Sequence, residues 1–142
     1  MRPERPAAMD RDDAEGAGAA ATYFLTLYPY IMSTGDTSEW DAMTWAETCT
    51  FCTANSQTAA QLKADEQTYE GGSISAQVSK IWPYDDLAGA YPVDVSYGQE
   101  GATLRAADGA AIATYEPKSG VAEFGVARSG GSWVIVEVGG AS

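Results

Sequence analysis

At Gly71-Gly72-Ser73-Ile74-Ser75-Ala76-Gln77-Val78-Ser79-Lys80-Ile81-Trp82 the period of the chain changes. Ile74, Ala76 and Val78 alternate with Ser75, Gln77 and Ser79, the two-residue period of a half-buried strand. Trp82-Pro83 ends this run, because proline brings no backbone donor to a ladder. Downstream the same period returns. Tyr91, Val93, Val95 and Tyr97 form a second alternating set, with Asp94 and Ser96 facing the other way. Val121–Arg128 and Ser132–Val138 read as two more strands, joined as a hairpin across Ser129-Gly130-Gly131. Residues 101–119 have no assigned place: Asp108-Gly109 is a turn signal, and Ala111–Glu116 suits a short strand or an extended loop.

Upstream the spacing is helical. Residues 1–9, with Pro3 and Pro6, read as a linker or tether remnant. Asp10 or Asp12 can cap a helix, and Asp12, Asp13 and Glu15 suit its positive end. Ala20, Tyr23, Phe24, Leu27 and Ile31 then share one face. Pro29 should remove the bond to the Leu25 carbonyl and bend the helix, and Gly35 should end it as a left-handed cap. Asp36-Thr37-Ser38-Glu39 resembles a capping box and opens a short helix carrying Trp40 and Met43. Thr48 to Tyr69 supplies a third helix, with Phe51, Ala54, Thr58, Leu62 and Tyr69 roughly on one side, stopped by Gly71-Gly72.

Helices followed by an antiparallel meander imply an α+β layer fold. The expectation is one domain over residues 10–140, with three N-terminal helices packed on a curved antiparallel sheet of about four strands. A curved sheet closed by helices at one end leaves a conical cavity, a common ligand site.

Composition narrows the chemistry. The 142 residues include 8 Lys+Arg against 20 Asp+Glu and no histidine, for a formal charge of −12. The missing imidazole removes Ser-His-Asp and Cys-His nucleophile systems and His-based zinc sites. A sequence pI near 4.1, with scattered cations, argues against nucleic acid and against anionic membrane surfaces. Eleven acids and two bases fall within residues 10–70, most simply a solvated face. The run Asp10, Asp12, Asp13, Glu15 fails as a calcium loop, because Glu15 stands where glycine is needed and Ala21 where the closing glutamate should be. No metal and no cofactor is expected.

Tyr23-Phe24-Leu25, Ser33-Thr34-Gly35-Asp36-Thr37, Cys49-Thr50-Phe51-Cys52 and the late Gly131-Ser132-Trp133 occur in an order that resembles the NTF2-like (SnoaL-like) superfamily. More narrowly, they resemble an actinobacterial family of exported lipoproteins of unknown function. The resemblance covers residues 14–138. It implies a tethered protein on the outer face of the cytoplasmic membrane, with a lipid anchor upstream, and it implies no catalytic residues.

Four readings compete for Cys49-x-x-Cys52: a structural disulfide, buried reduced thiols, a redox pair and a zinc half-site. Zinc lacks further ligands. The redox motif normally follows a strand, whereas a helical segment precedes this one. The disulfide is preferred because the count is even and the resemblance implies an oxidising compartment. One helical turn sets the Cβ atoms ~5–6 Å apart, so closing the bridge to ~3.8 Å requires the turn to tighten. For a ligand pocket or interface the candidates are Tyr28, Trp82, Tyr84 and Tyr97. An isomerase- or lyase-type site would draw on Asp94 or Glu123 with Tyr28 or Tyr97, but Asp94 and Tyr97 alternate to opposite faces. The leading reading is therefore a non-catalytic envelope module for a small apolar ligand or a protein partner, with the open sheet face as the candidate homodimer surface. A metal-independent enzyme and a thiol redox protein using Cys49 and Cys52 are the alternatives.

Overall fold

Three helices precede seven strands in the computed structural model, which describes residues 2–140. Met1 of the expected linker lies outside the described residues. Packing begins ahead of the Asp10 boundary: Ala7–Asp10 form a 3-10 turn, and Met9 is 2% exposed. The indole N–H of Trp133 donates to the carbonyls of Met9 (3.0 Å) and Arg11 (3.1 Å), which draws this segment onto the domain.

Helix α1 (Ala14–Thr34) is capped by Asp13, whose carboxylate accepts the Gly16 N–H at 3.2 Å and pairs with Arg11. It runs on through Pro29, which removes one backbone donor without ending the helix. Gly35 closes it at φ 73°, donating to the Ile31 carbonyl at 2.8 Å, as its sequence position predicts. Ala20, Tyr23, Phe24, Leu27 and Ile31 are all buried, so the helical face read from the spacing is the core face.

Helix α2 (Ser38–Ala42) brings Trp40 flat against Phe24, with centroids 3.9 Å apart and planes 21° apart. The cap differs from the expected box. Thr37 occupies the cap position, Asp36 accepts from the Ser38 N–H, and Glu39 accepts the Tyr23 hydroxyl at 2.9 Å. Helix α3 (Thr50–Ala64) is shorter than the sequence suggests. Its chain reverses at Glu66, which takes a left-handed φ of 57° without being glycine.

Strands β1 (Thr68–Gly71), β4 (Ala102–Arg105) and β5 (Ala111–Tyr115) form a three-stranded antiparallel sheet. Strands β2 (Ile74–Ile81), β3 (Tyr91–Gln99), β6 (Lys118–Ser129) and β7 (Ser132–Gly139) form a four-stranded one, also antiparallel. The single sheet of about four strands thus becomes two sheets. Residues 101–119, left open by the sequence, hold β4, β5 and the start of β6. Residues 43–45 form one parallel bridge to β7, with Trp45 N–H donating to Ile135 and Ile135 N–H to Met43, so that edge is covered at Ile135.

The two sheets are continuous across a crease. The register row Gly71, Ala102, Tyr115 ends the small sheet, and the row Ile74, Gln99, Lys118 starts the large one. Each strand therefore spends two unpaired residues at the crossing: 72–73, 100–101 and 116–117. Hydrogen bonds from Gly72 N–H to the Gly101 carbonyl (3.0 Å) and from Glu100 N–H to the Ser73 carbonyl (2.9 Å) hold the bend. Gly71 and Gly72 sit there at φ 83° and 74°, and a Cβ on Gly71 would lie 2.6 Å from the Gly101 carbonyl oxygen. The concave side wraps α1. No helix among the described residues is long and apolar enough to cross a membrane.

Candidate functional site

On the concave side of the crease lies a cavity of about 440 Å³. Helix α1 contributes Tyr28 and Met32, α3 contributes Leu62, and β1 contributes Tyr69. Strand β5 places Tyr115 at the mouth, 51% exposed. The Tyr28 and Tyr69 rings meet edge to face, with centroids 6.5 Å apart and planes at 88°. Tyr115 sits 6.4 Å from Tyr69 at 38°. Gln99 fixes the middle ring: its amide donates to the Tyr69 hydroxyl at 3.3 Å and to the Gly72 carbonyl at 3.2 Å. Exposed Glu100, Glu116 and Lys118 complete the rim.

Burial dominates the electrostatics of these phenols. It pushes the Tyr69 hydroxyl up to about 12, with smaller contributions from Tyr28 and Tyr115. Tyr28 is raised for the same first reason, with Tyr115 second. Both stay neutral hydrogen-bonding groups over the ordinary pH range. Among the described residues, no group of three or more His, Cys, Asp or Glu side chains converges to hold a metal ion.

The four aromatic candidates are not brought together. Tyr28 alone lines this cavity. Tyr97 is 8% exposed and packs in the core. Trp82 is exposed beyond the far end of β2, where its indole donates to Asp94 at 3.1 Å and Lys80 lies 3.5 Å from the ring centroid. Tyr84, also exposed, packs edge-on against Tyr91 with centroids 5.1 Å apart.

Asp94 and Glu123 are direct cross-strand partners on the open face of the large sheet, opposite buried Val93, Val95 and Tyr97. They line a shallow groove with Trp82, Pro92 and Glu137 rather than the cavity. Cys49 and Cys52 form a disulfide with both residues fully buried. Cys49 Sγ also accepts the Cys52 N–H at 3.2 Å, so the bridge doubles as the cap of α3. The indole of Trp40 donates to the Cys52 carbonyl at 2.9 Å.

Tyr69, Tyr115 and Gln99 escape the sequence reading. Helical spacing puts Tyr69 in the last turn of α3, and Tyr115 falls in the unplaced segment. The signal that could have found them is the shift in alternation at each crossing: Tyr97 and Gln99 face inward, and then Ala102 and Leu104 do.

Helices laid on a creased antiparallel sheet, with a tyrosine-walled hollow between them, define an α+β domain. The chain belongs to the family of unknown function DUF6318, whose pattern matches residues 2–139. None of the curated proteins matches it in sequence. Among solved structures it is similar to the intermembrane space region of the chloroplast protein ARC6, with a TM-score of 0.69 and 14% identity over 91% of this chain and 96% of that one. That likeness supports the fold. An uncharacterised protein with a cystatin-like fold from Caulobacter vibrioides matches at a TM-score of 0.45 and 14% identity, over 87% of each chain. Aln2 from a Streptomyces species matches at 0.42 and 17%, over 83% of this chain and 84% of that one.

Proposed function

We propose that this domain is a non-catalytic binding module of the cell envelope that takes the apolar part of a small molecule between α1, α3 and the three-stranded sheet. The observation that carries this reading is the cavity of about 440 Å³ walled by Tyr28, Met32, Leu62, Tyr69 and Tyr115. Its size falls in the range of ligand sites, and its aromatic and aliphatic walls, bordered by Thr58, Gln99, Thr114 and the rim charges, combine apolar surface with polar groups that can orient a guest. The NTF2-like relationship is part of the same proposal, since a curved sheet closed by helices gives that superfamily its conical hollow. A place outside the cytoplasm is supported by the Cys49–Cys52 disulfide, a bond that persists in oxidising compartments. Anchoring by an upstream lipid, as in the actinobacterial lipoproteins the sequence resembles, completes the reading.

The alternatives have less to stand on. A thiol redox role needs a sulfur that an attacking thiolate can reach, and both sulfurs belong to buried residues behind Trp40. An isomerase built on Asp94 or Glu123 would place its carboxylate on the opposite side of the sheet from Tyr28.

Titration with the neutral apolar dye N-phenyl-1-naphthylamine tests the module. A saturable rise in fluorescence at one dye per chain is expected, lost in Leu62→Trp, which fills the hollow. Binding that Leu62→Trp leaves unchanged would overturn the reading, as would no saturable binding.

A further inference from the structure

We infer that the hollow is a site for an organic cation, a fully alkylated ammonium group held among the rings of Tyr28, Tyr69 and Tyr115. The inference rests on the ligand-binding reading above and gives it a chemical class.

Ring geometry comes first. A cation is drawn to an aromatic face within about 6 Å of the ring centroid, and it gains most where several faces converge. Tyr28 and Tyr69, both in the cavity wall, stand at 88° with centroids 6.5 Å apart, so two rings at right angles border the same hollow. Tyr115, 6.4 Å from Tyr69 at 38°, adds a ring on the mouth side. The Gln99 amide holds the Tyr69 ring in place before any guest arrives.

The chain's own cations that lie over aromatic rings do so away from the cavity. Among the described residues the cation–ring contacts are Lys80 over Trp82 at 3.5 Å and Arg128 over Trp133 at 4.7 Å. Charge agrees with a cationic guest: the protein carries −12 overall, and the rim sets two carboxylates, Glu100 and Glu116, against the single ammonium of Lys118. Lys118 is exposed, and its flexible stem lets the charged head stay in water. An anion would meet this field at a disadvantage.

The wall chemistry selects the kind of cation. The acceptors of the cavity are the tyrosine hydroxyls, Thr58, Gln99, Thr114 and the rim carboxylates, whereas the stretch of wall formed by Met32, Leu62 and Leu104 offers none. A primary ammonium brings three donors that would have to be satisfied there, whereas an alkylated nitrogen brings none and presents methyl groups to the apolar wall.

Choline and its neutral isostere 3,3-dimethylbutan-1-ol, which replaces the trimethylammonium by a tert-butyl group, separate charge from shape. NMR titration of the full chain at low salt is expected to show saturable choline shifts at Tyr28, Tyr69 and Tyr115. Choline should bind about tenfold more tightly than the alcohol. Tyr115→Leu, at a half-exposed position, should weaken both compounds but choline by the larger factor, so that the ratio between them shrinks toward one; a ratio left at about tenfold would take Tyr115 out of the site. Equal affinity for the two compounds would overturn the inference and leave the apolar-ligand reading intact. Choline shifts confined to Asp94, Glu123 and Glu137 would overturn it in favour of loose attraction to the acidic face. If neither compound moves the cavity resonances, the cation site is rejected, and the dye titration decides independently whether the hollow binds anything.

Discussion

Gly72 links the crease to the pocket. Its φ is 74°, and a Cβ built there would run into the Tyr69 hydroxyl, the group that Gln99 orients. Gly72→Ala should therefore combine left-handed strain with displacement of a pocket ring. The expected cost is about 1–3 kcal/mol in chemical denaturation, together with weaker dye binding. The phenols themselves report on pH. Tyr69 and Tyr23 are each pushed up to about 12 from 10.0, Tyr69 mainly by burial and Tyr23 by burial and then by its bond to Glu39. A phenol raised in the folded state keeps its full stabilising contribution below the unfolded value. It loses that contribution as pH climbs from about 10 toward 12. Melting temperature should be level up to about pH 9 and fall steeply above about 10, with a shallower fall in Tyr69→Phe. An equal alkaline fall in that variant would remove Tyr69 from the account.

At the scale of elements, α3 shows what the sequence could and could not reveal. Its start was legible, because the Cys49-x-x-Cys52 spacing fits one helical turn and the bridge forms there. Its end was not. The stop falls at Asp65 and Glu66 with no glycine to mark it, so helical spacing carries on to Tyr69, which belongs to β1. Strands β4 and β5 were hidden for a related reason. They are four and five residues long, with little buried apolar surface, and periodicity needs more repeats than that to stand out. Helix α1 and strands β2 and β3 were readable because each repeats its pattern over several turns or at least three inward positions, and β6 and β7 because valine-rich runs flank the Ser129-Gly130-Gly131 turn. Of the pocket, only Tyr28 is a candidate from sequence. The bridge's double duty also yields a prediction. Replacing both cysteines by alanine should cost less than ~3 kcal/mol, since the closed loop is short, plus the loss of a helix cap. Cys49→Ser with Cys52→Ala should recover about 1 kcal/mol of this, because a serine hydroxyl accepts from the same N–H. Equal melting of the two double variants would show that Cys49 Sγ contributes nothing as a cap.

Over the whole molecule, charge and curvature divide the work. The open face of the large sheet carries Asp94, Glu123 and Glu137 around Trp82. Two copies meeting through it would oppose like charges, so such a dimer is expected only where salt screens them. Sedimentation velocity should show a monomer at low salt and self-association toward ~1 M, where the screening length falls to about 3 Å. Dimerisation that weakens with salt would point to a different surface. Curvature has a separate origin, and it is a matter of counting. Each of the three strands that pass between the sheets does so with the same two-residue step, so inward-facing side chains recur three positions apart there instead of two. Dropping one residue from a single step would turn that strand inside out against neighbours that had not changed. Dropping one from all three together would keep every partner matched and let the ribbon straighten, and the hollow would vanish with no wall residue altered.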